Sequence, residues 1–332
     1  MMALEGILVL KTFLFYEEDI VMEKIFENHR SMNEIRKHSK NKHTPDKIDK
    51  NYGELIFPHI SDKAMRPYFT GSMILSMDGR MGFQDDPSSR TLAKANKEDP
   101  TRGMADLWMV NVLRTFADAI ILGGATLHAE PEFTGHVYDP ELQQYRLEMP
   151  GQFNPIPWNI LITRNPENLP WQHPVLDTSE IPVLMVIPSD KMENISLCAG
   201  KNFCYQQVKI EKKSDIMKAE FLREDEEKHL VAVLPEKDFP DWTLMMELLN
   251  RLDIKQVTVE SPHWIYELMQ NKALDEIFAT HTGVYTGGSV IPGKKQAFPS
   301  EEAPVSELVS IHMTGNNVLM TRQKLRYGNG KK

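Results

Sequence analysis

The polar residues best suited to chemistry come directly after apolar runs in this sequence. Four such segments are present: Ser76–Arg80, Gly123–Thr126, Thr163–Asn165 and Glu260–Pro262. Open α/β sheets bind their ligands outside the carboxyl ends of the strands. If the apolar runs are strands of one parallel sheet, the four segments meet at one edge. Their order and spacing therefore favour a ligand site there.

Each segment alone also has a purely structural interpretation. The Asp-Gly pair after the first run is typical of a turn. The pair Gly123-Gly124 is not a GxGxxG motif. Its role could be limited to letting the chain bend after the strand. Arg164 could be a solvated cation, and Pro262 suits the first position of a helix. Only the joint occurrence of the segments supports a functional interpretation.

Hydrophobic periodicity predicts the elements that position these segments. The runs that fit strands are Tyr68–Met77, Ala119–Leu122, Trp158–Thr163, Val183–Pro188, Leu230–Leu234, Val257–Glu260, Glu276–Thr280, Ser310–Thr314 and Val318–Gln323. Helices are predicted from Thr101, after the N-cap Asp241, and over Pro262–Gln270. Alternating strands and helices predict an α/β sheet covered on both faces, and the closing antiparallel pair makes it mixed. The βαβ unit from 257 to 280 implies a parallel pair.

Two parts of the chain are patterned differently. Residues 1–65 form a predicted N-terminal extension, in which the spacing of Val21 and Ile25 fits a helix and the Lys-rich stretch His38–Lys50 fits a solvated linker. Residues 66–330 form the main domain. Within it, 189–228 is polar and poorly patterned, and we expect an insertion that could hold a local hairpin.

Composition excludes several classes of protein. The chain has 332 residues, 41% hydrophobic and 26% charged, which suffices for one large α/β domain with an extension or for two modest domains. Its net charge of −9 argues against non-specific binding to nucleic acid or to anionic membranes. Cys198 and Cys204 are not spaced for a disulfide scaffold or a zinc site. The apolar stretch from Ile7 lacks the features of a signal peptide, so we expect a cytoplasmic protein.

Four stretches of the sequence resemble a known family. They are SMDGR (76–80), SSRTLAK (88–94), VLRTFADAIILGGATLHAEPEFT (112–134) and VTVESPHWIYELMQNKALDEI (257–277). Together they resemble the reductase domain of the bacterial riboflavin-biosynthesis bifunctional enzyme and its stand-alone pyrimidine reductase relatives. The resemblance covers roughly 66–288, with a divergent gap between 165 and 230. It implies a dihydrofolate-reductase-like three-layer fold, with a central mixed, mostly parallel sheet and helices on both faces.

The resemblance also implies an activity. The substrate would be the phosphorylated pyrimidine 5-amino-6-(5-phosphoribosylamino)uracil. NADPH would deliver a hydride to C1′ of the ring-opened ribose and give the ribityl product. Such a transfer needs the nicotinamide held against one face of the carbon, with water largely excluded. The protein would act mainly by positioning, so no metal is expected.

Individual roles follow from the matching positions of the family. Glu130 would be the catalytic residue, as a proton source or an orienting group near the nicotinamide. The residues that would contact the cofactor are Ile74, Thr91, Gly123, Gly124, Thr126, Arg164, Pro262, His263 and Trp264. The residues that would contact the substrate are Ser89, Arg114, Phe133, His136 and Glu260. Among them, Arg114 would meet the substrate phosphate through its guanidinium.

Three departures from the family stand out. Glycine is usual where Pro262 stands, and proline removes an N–H that could donate to the cofactor pyrophosphate. The amides of His263 and Trp264 remain, and the helix start still favours an anion. His136 stands where an arginine is common. No H-A-E motif with paired cysteines precedes Arg66, so we expect no zinc deaminase activity in this chain.

Two alternatives stay open at this point. A dihydrofolate-reductase-type enzyme with another pterin or pyrimidine substrate is the weaker one, because the acid-bearing helix and Trp-containing loop of that enzyme are not recognisable. A non-catalytic nucleotide-binding protein that keeps the fold is favoured by Pro262 and by the long insertion. The glycine strand end and Glu130 oppose it. The resemblance further implies a homodimer.

Overall fold

One mixed sheet organises the chain. A computed structural model describes residues 10–39, 43–61, 64–149, 154–219, 229–293 and 297–328. The strands in these residues are β1 (Glu23–Glu27), β2 (Tyr68–Ser76), β3 (Ala119–Leu122), β4 (Trp158–Ile162), β5 (Val183–Pro188), β6 (Tyr205–Lys209), β7 (His229–Leu234), β8 (Gln256–Val259), β9 (Leu274–Thr282), β10 (Val305–Thr314) and β11 (Val318–Arg326). Their order across the sheet is β1-β10-β11-β9-β2-β8-β3-β4-β5-β7-β6.

The sheet is mostly parallel, as predicted. Every neighbouring pair from β9 to β6 is parallel. The strands β1, β10 and β11 join β9 through antiparallel pairs, which confirms the predicted antiparallel ending. The predicted βαβ unit differs in one respect. β8 and β9 are parallel, but β2 lies between them and pairs with both.

Helices cover both faces of the sheet. They are α1 (Glu17–Ile20), α2 (His29–His38), α3 (Asp46–Asn51), α4 (Ser89–Lys94), α5 (Gly103–Phe116), α6 (Gly124–Ala129), α7 (Pro140–Glu148), α8 (Pro174–Asp177), α9 (Asn194–Cys198), α10 (Lys213–Lys218), α11 (Trp242–Arg251) and α12 (Pro262–Gln270). Asp241 caps α11 as predicted, because its Oδ1 accepts from the backbone N–H of Thr243 and Leu244. The polar stretch 84–100, which the sequence suggests is a loop, contains α4.

The core is divided by the sheet. On one face, Leu248 of α11 and Ile265 of α12 pack on Val257 of β8. On the other face, α5 packs through Trp108 and Val112 near β9, and α6, α8 and α9 contribute to an apolar cluster with β3, β4, β5 and β7. Because each helix buries its apolar side against the sheet, the result is a three-layer α/β fold. This is the dihydrofolate-reductase-like fold class that the resemblance implied.

The segment before Arg66 belongs to the same sheet. The helix predicted around Val21 and Ile25 is wrong, because β1 pairs with β10 there and satisfies backbone groups at an open sheet edge. The predicted linker is also partly wrong. It contains most of α3, whose Ile48 is fully buried while lysines flank it. Residues 1–9, which include most of the apolar stretch from Ile7, lie outside the described residues.

The predicted insertion extends the sheet. Its described part, residues 189–219, holds α9, the strand β6 and α10. β6 pairs in parallel with β7, so no local hairpin forms in this part. Burial of Ile195 and Ile216 explains the two short helices, since each has one apolar side chain directed to the core. Residues 220–228 lie outside the described residues.

The helices are short. The longest described helix, α5, has 14 residues and packs on the sheet. None of the helices in the described ranges combines the length and the apolar character needed to cross a membrane.

Candidate active site

The four polar segments singled out in the sequence lie side by side. β2, β8, β3 and β4 are neighbours in this order and run parallel, so their carboxyl ends open on the same edge of the sheet. The segments that follow these strands are Ser76–Arg80, Glu260–Pro262, Gly123–Thr126 and Thr163–Asn165. This edge, together with α4, the start of α5 and the loop after α6, is the candidate active site.

The turn after β2 is held by Asp78. Its carboxylate accepts hydrogen bonds from Ser76 Oγ at 2.6 Å and from the backbone N–H of Thr286 and Gly287 at 3.2 and 2.9 Å. These bonds, the one from Ser76 above all, lower the pKa of Asp78 to about 2. Gly79 has φ +76°, a conformation that favours glycine. Asp78 therefore ties the loop after β9 to the site and stays ionised.

The glycine pair brings the end of β3 against two neighbours. A Cβ at Gly123 would lie 2.8 Å from Ser261 Oγ, which is closer than packed atoms approach. A Cβ at Gly124 would lie 3.2 Å from Leu169. Thr126 follows in the first turn of α6 and is half-buried. The small residues therefore let β3 and the start of α12 approach each other at the sheet edge.

The start of α12 faces the same edge. Pro262 occupies the first helical position, and Ser261 precedes it with an extended backbone and no side-chain cap. His263 and Trp264 complete the first turn, with Trp264 buried against Trp242. The positive end of the helix dipole at this position favours an anion.

Arg164 lies at the carboxyl end of β4, on the surface. Its Nη2 donates to the backbone oxygen of Phe239 at 2.6 Å, and its guanidinium carbon lies 5.1 Å from the centre of the Phe239 ring. These contacts orient a positive charge at the carboxyl end of β4, the strand next to β3.

Glu130 and Ser89 meet across the site. Ser89 Oγ donates to Glu130 Oε1 at 2.6 Å, so α4 and the loop after α6 are in contact. Thr91 lies on the same short helix, but its hydroxyl donates to Asp86 at 2.7 Å. To contact the cofactor as predicted, the Thr91 hydroxyl would have to break its hydrogen bond to Asp86. Ile74 is buried in β2, where it pairs with Thr280 of β9 in the strand register.

Arg114 is placed differently from the prediction. Its side chain is 0% exposed and forms an ion pair with Glu260, with Nε to Oε1 at 2.8 Å and Nη2 to Oε2 at 2.7 Å. Its Nη1 donates to the backbone oxygens of Thr134 and His136. A direct contact with a substrate phosphate does not fit this geometry, because the guanidinium is buried and engaged on three sides. Arg114 instead holds Glu260 at the end of β8.

The helix that carries Arg114 is anchored at its end by a second buried arginine. Arg146 of α7 donates through Nη1 to the backbone oxygens of Arg114, Thr115 and Ala117 at 3.1, 3.1 and 2.6 Å. Carbonyls at a helix C-terminus lack the usual helical partners, and the guanidinium satisfies them here, although the Arg114 oxygen also accepts from the Ala117 N–H at 3.3 Å. Burial lowers the pKa of Arg146 to about 10, so it remains charged. The contact fixes the position of α5 relative to the site.

His136 is also placed differently from the prediction. It is 4% exposed, with Nδ1 2.8 Å from Thr134 Oγ1 and Nε2 2.9 Å from the backbone oxygen of Lys11. Burial lowers its pKa to about 4, so the ring is neutral near pH 7. It therefore supplies no positive charge to a phosphate. Phe133 is half-buried, and its ring lies 4.6 Å from the guanidinium carbon of Arg114.

The sequence prediction missed a second acid, Asp106. It lies in the first turn of α5 and accepts a hydrogen bond from Thr280 of β9. Burial first, and then the charges of Glu130 and Glu260, raise the pKa of Asp106 to about 6. The sequence did contain a signal for Asp106. It stands three residues before Met109, so a helix places this acid on the same side as the apolar residues that face the core.

The fold is that of the dihydrofolate-reductase-like α/β class. The chain belongs to a family within it: the family model described as RibD C-terminal domain matches residues 67–320. Members of this family are reductases of riboflavin biosynthesis. None of the curated proteins compared with the chain matches it.

Solved structures agree with the fold. A pyrimidine reductase-like protein from Corynebacterium diphtheriae is 16% identical, with a TM-score of 0.54 over 78% of this chain and 92% of that one. RibD of Acinetobacter baumannii is 14% identical, with a TM-score of 0.50 over 79% of this chain and 59% of that one. At these identities the likeness shows the fold alone.

Proposed function

We propose that this protein is an NADPH-dependent reductase of 5-amino-6-(5-phosphoribosylamino)uracil or a close relative. The observation that carries the proposal is the contact of Glu130 with Ser89 at the edge where β2, β8, β3 and β4 end. This contact supports the proposal because Glu130 ends the helix that begins at the glycine pair, in a chain of a reductase family. Glu130 is the candidate catalytic residue.

The residues at this edge fit a dinucleotide. Gly123 leaves the end of β3 without a side chain, and a Cβ there would strike Ser261. The positive end of α12 and the oriented guanidinium of Arg164 suit the phosphates of the cofactor. Thr126 would contact its phosphate or ribose. When bound, NADPH supplies the hydride, and the chain's own groups supply position and protons.

The reaction needs one proton besides the hydride. Opening of the ribose ring breaks the bond from C1′ to the ring oxygen, the nitrogen lone pair forms a C=N bond, and the oxygen takes a proton. Reduction then converts C1′ into the methylene of the ribityl chain. Glu130 is the group that we assign to holding this proton, and Ser89 orients it. Glu260, held by Arg114, would accept a hydrogen bond from the substrate.

We also propose that the protein acts as a cytoplasmic homodimer. The sheet edge formed by β1 and β10 exposes four large apolar side chains: Ile25, Phe26, Val305 and Leu308. An exposed apolar edge strand is a template for pairing with another chain. Cys198 and Cys204 are unpaired, as a reducing compartment would require.

A fluorescence titration of the full chain with NADPH tests the proposal, with NADH as comparison. We expect saturable NADPH binding that weakens about tenfold in Thr126→Ala and in Arg164→Gln. The exposed Ser179 precedes β5 at the opposite edge of the sheet and supplies the matched control Ser179→Ala. If millimolar NADPH does not bind to the wild type, the reductase proposal fails and a non-catalytic member of the fold is indicated.

A further inference from the structure

The loop after α6, residues 130–139, holds the charged pair at the end of β8. The backbone oxygens of Thr134 and His136 accept hydrogen bonds from Arg114 Nη1 at 3.0 and 2.8 Å. The other side of the same guanidinium pairs with Glu260. Because a guanidinium is planar and its N–H groups point in fixed directions, a shift of the two oxygens would turn it and move the carboxylate. The geometry of the pair therefore depends on the conformation of this loop.

The N-terminal residues 10–16, which we call the strap, run alongside the end of this loop. The backbone N–H of Phe13 donates to the backbone oxygen of Tyr138 at 2.9 Å. Phe15 is buried in the apolar cluster that also contains Val137 and Tyr138. The strap is thus attached to the loop both by a backbone hydrogen bond and by apolar packing.

The side chain of His136 makes a second attachment between strap and loop. Its Nε2 lies 2.9 Å from the backbone oxygen of Lys11, and a carbonyl oxygen can only accept, so Nε2 carries the proton. In the neutral ring Nδ1 is then an acceptor, and Thr134 Oγ1 donates to it at 2.8 Å. A chain of hydrogen bonds therefore runs from the strap through His136 to Thr134, whose backbone oxygen holds Arg114.

Loss of the strap would leave buried polar groups of the loop without partners. His136 is buried, so its Nε2 would lose the Lys11 oxygen with little water to replace it. A buried donor without an acceptor is unfavourable, and the loop would open to hydrate it. The cofactor groups assigned above are separate from these contacts. Within the described residues, no hydrogen bond joins the strap to β3, β4 or the start of α12.

We infer that the strap is a positioning element of the reductase site, in which His136 and the backbone N–H of Phe13 fix the loop after α6 so that Arg114 and Glu260 keep their geometry toward the substrate. This role rests on the function proposed above and extends it to a segment outside residues 67–320, which the family model matches. His136 is a positioning residue, since it acts through the buried pair. Small displacements of positioning groups lower turnover strongly, so the substrate step should suffer more than cofactor binding.

The test removes the attachments of the strap one at a time in the full chain. Phe13→Pro removes the N–H that donates to Tyr138, and Phe13→Leu keeps it as the matched control. His136→Leu removes both side-chain hydrogen bonds, whereas His136→Gln keeps a donor for the Lys11 oxygen. Fluorescence titration measures the Kd for NADPH, and NADPH oxidation measures kcat/KM for 5-amino-6-(5-phosphoribosylamino)uracil. Hydrogen exchange with mass spectrometry follows the amides of residues 130–139.

The two disrupting variants should separate substrate turnover from cofactor binding. In Phe13→Pro and His136→Leu we expect kcat/KM to fall about tenfold or more and the loop amides to exchange faster. The Kd for NADPH should change less than about twofold. Phe13→Leu and His136→Gln should stay within about threefold of the wild-type kcat/KM, because each keeps its hydrogen bond to the other segment. A merely structural role would lower stability without this separation.

Three outcomes would overturn the positioning role. Disrupting variants that fold and keep the wild-type kcat/KM would leave the reductase proposal standing and remove the strap from it. An equal loss of NADPH affinity and of kcat/KM would show that the strap supports the whole fold instead of the loop. If His136→Leu does not fold, Phe13→Pro decides alone, since Phe13 is 38% exposed. A wild type that neither binds NADPH nor reduces the substrate overturns the reductase proposal, and the positioning role with it.

Discussion

Arg114 and Glu260 form a buried ion pair across 146 residues of sequence, with Nε–Oε1 at 2.8 Å and Nη2–Oε2 at 2.7 Å. The pair joins the last turn of α5 to the carboxyl end of β8, where the candidate site opens. Because the arginine also donates to two backbone oxygens of the segment after Phe133, one side chain positions three elements. Loss of either partner should therefore lower the stability of the fold, and any effect on catalysis would follow from that.

Removal of one partner tests this relationship. Arg114→Met leaves Glu260 buried and unpaired, and the free energy of unfolding should fall by ~3–5 kcal/mol. Urea denaturation followed by circular dichroism measures the change. The exposed pair Lys209–Glu211 supplies the control, because Glu211→Gln should change stability by less than ~1 kcal/mol. A variant at 114 as stable as the wild type would contradict the structural role.

Substitution of Glu130 tests the catalytic assignment. Glu130→Gln keeps the shape and the contact with Ser89 but removes the proton, so kcat should fall about 10²–10⁴-fold with a small change in KM. Steady-state oxidation of NADPH measures both constants. Glu132→Gln, at an exposed position two residues away, is the matched control and should retain wild-type kcat. Equal losses in the two variants would remove Glu130 from the mechanism.

Replacement of Pro262 tests how the start of α12 serves the cofactor. Pro262→Gly restores one N–H at the first helical position, so the Kd for NADPH should decrease about threefold or more. Glycine gives the unfolded chain more conformational entropy than proline does. The free energy of unfolding should therefore fall by ~0.5–1 kcal/mol. Pro174→Gly at the first position of α8 should show the same loss of stability without a change in Kd. Unchanged affinity at 262 would place the pyrophosphate elsewhere.

The buried carboxyl of Asp106 predicts a pH dependence of stability. Its pKa is about 6 in the folded protein and near 3.8 otherwise, so the native state binds the proton more tightly. The wild type therefore loses stability relative to Asp106→Asn as the pH rises from about 4 through about 6, and the difference is constant above that. At pH 8 the variant should be more stable by ~1–3 kcal/mol. Urea unfolding at pH 4, 6 and 8 measures it, and equal stability throughout would contradict the buried charge.

The sequence determined most of the framework of this protein. The strand runs, the cap Asp241 and the helix over Pro262–Gln270 were predicted because apolar periodicity and turn residues are local signals. The polar segments after the strands also predicted the edge of the sheet that the structure shows. Prediction of secondary structure was wrong where a segment's conformation depends on a partner that is distant in sequence. Local periodicity predicts a helix for β1, because only pairing with β10 makes that segment extended.

Tertiary structure alone decided which polar side chains face the site. Arg114 and His136 match family positions for substrate contacts, yet packing of α5 and the N-terminal segment buries both. Asp106 carried no motif and became a candidate only when Thr280 of β9 was placed beside it. The physical reason is that charge, burial and hydrogen bonding are shared between residues far apart in sequence. The pattern of residues along the sequence determines the helices and strands. Which side chains pair with one another is determined only when the chain packs.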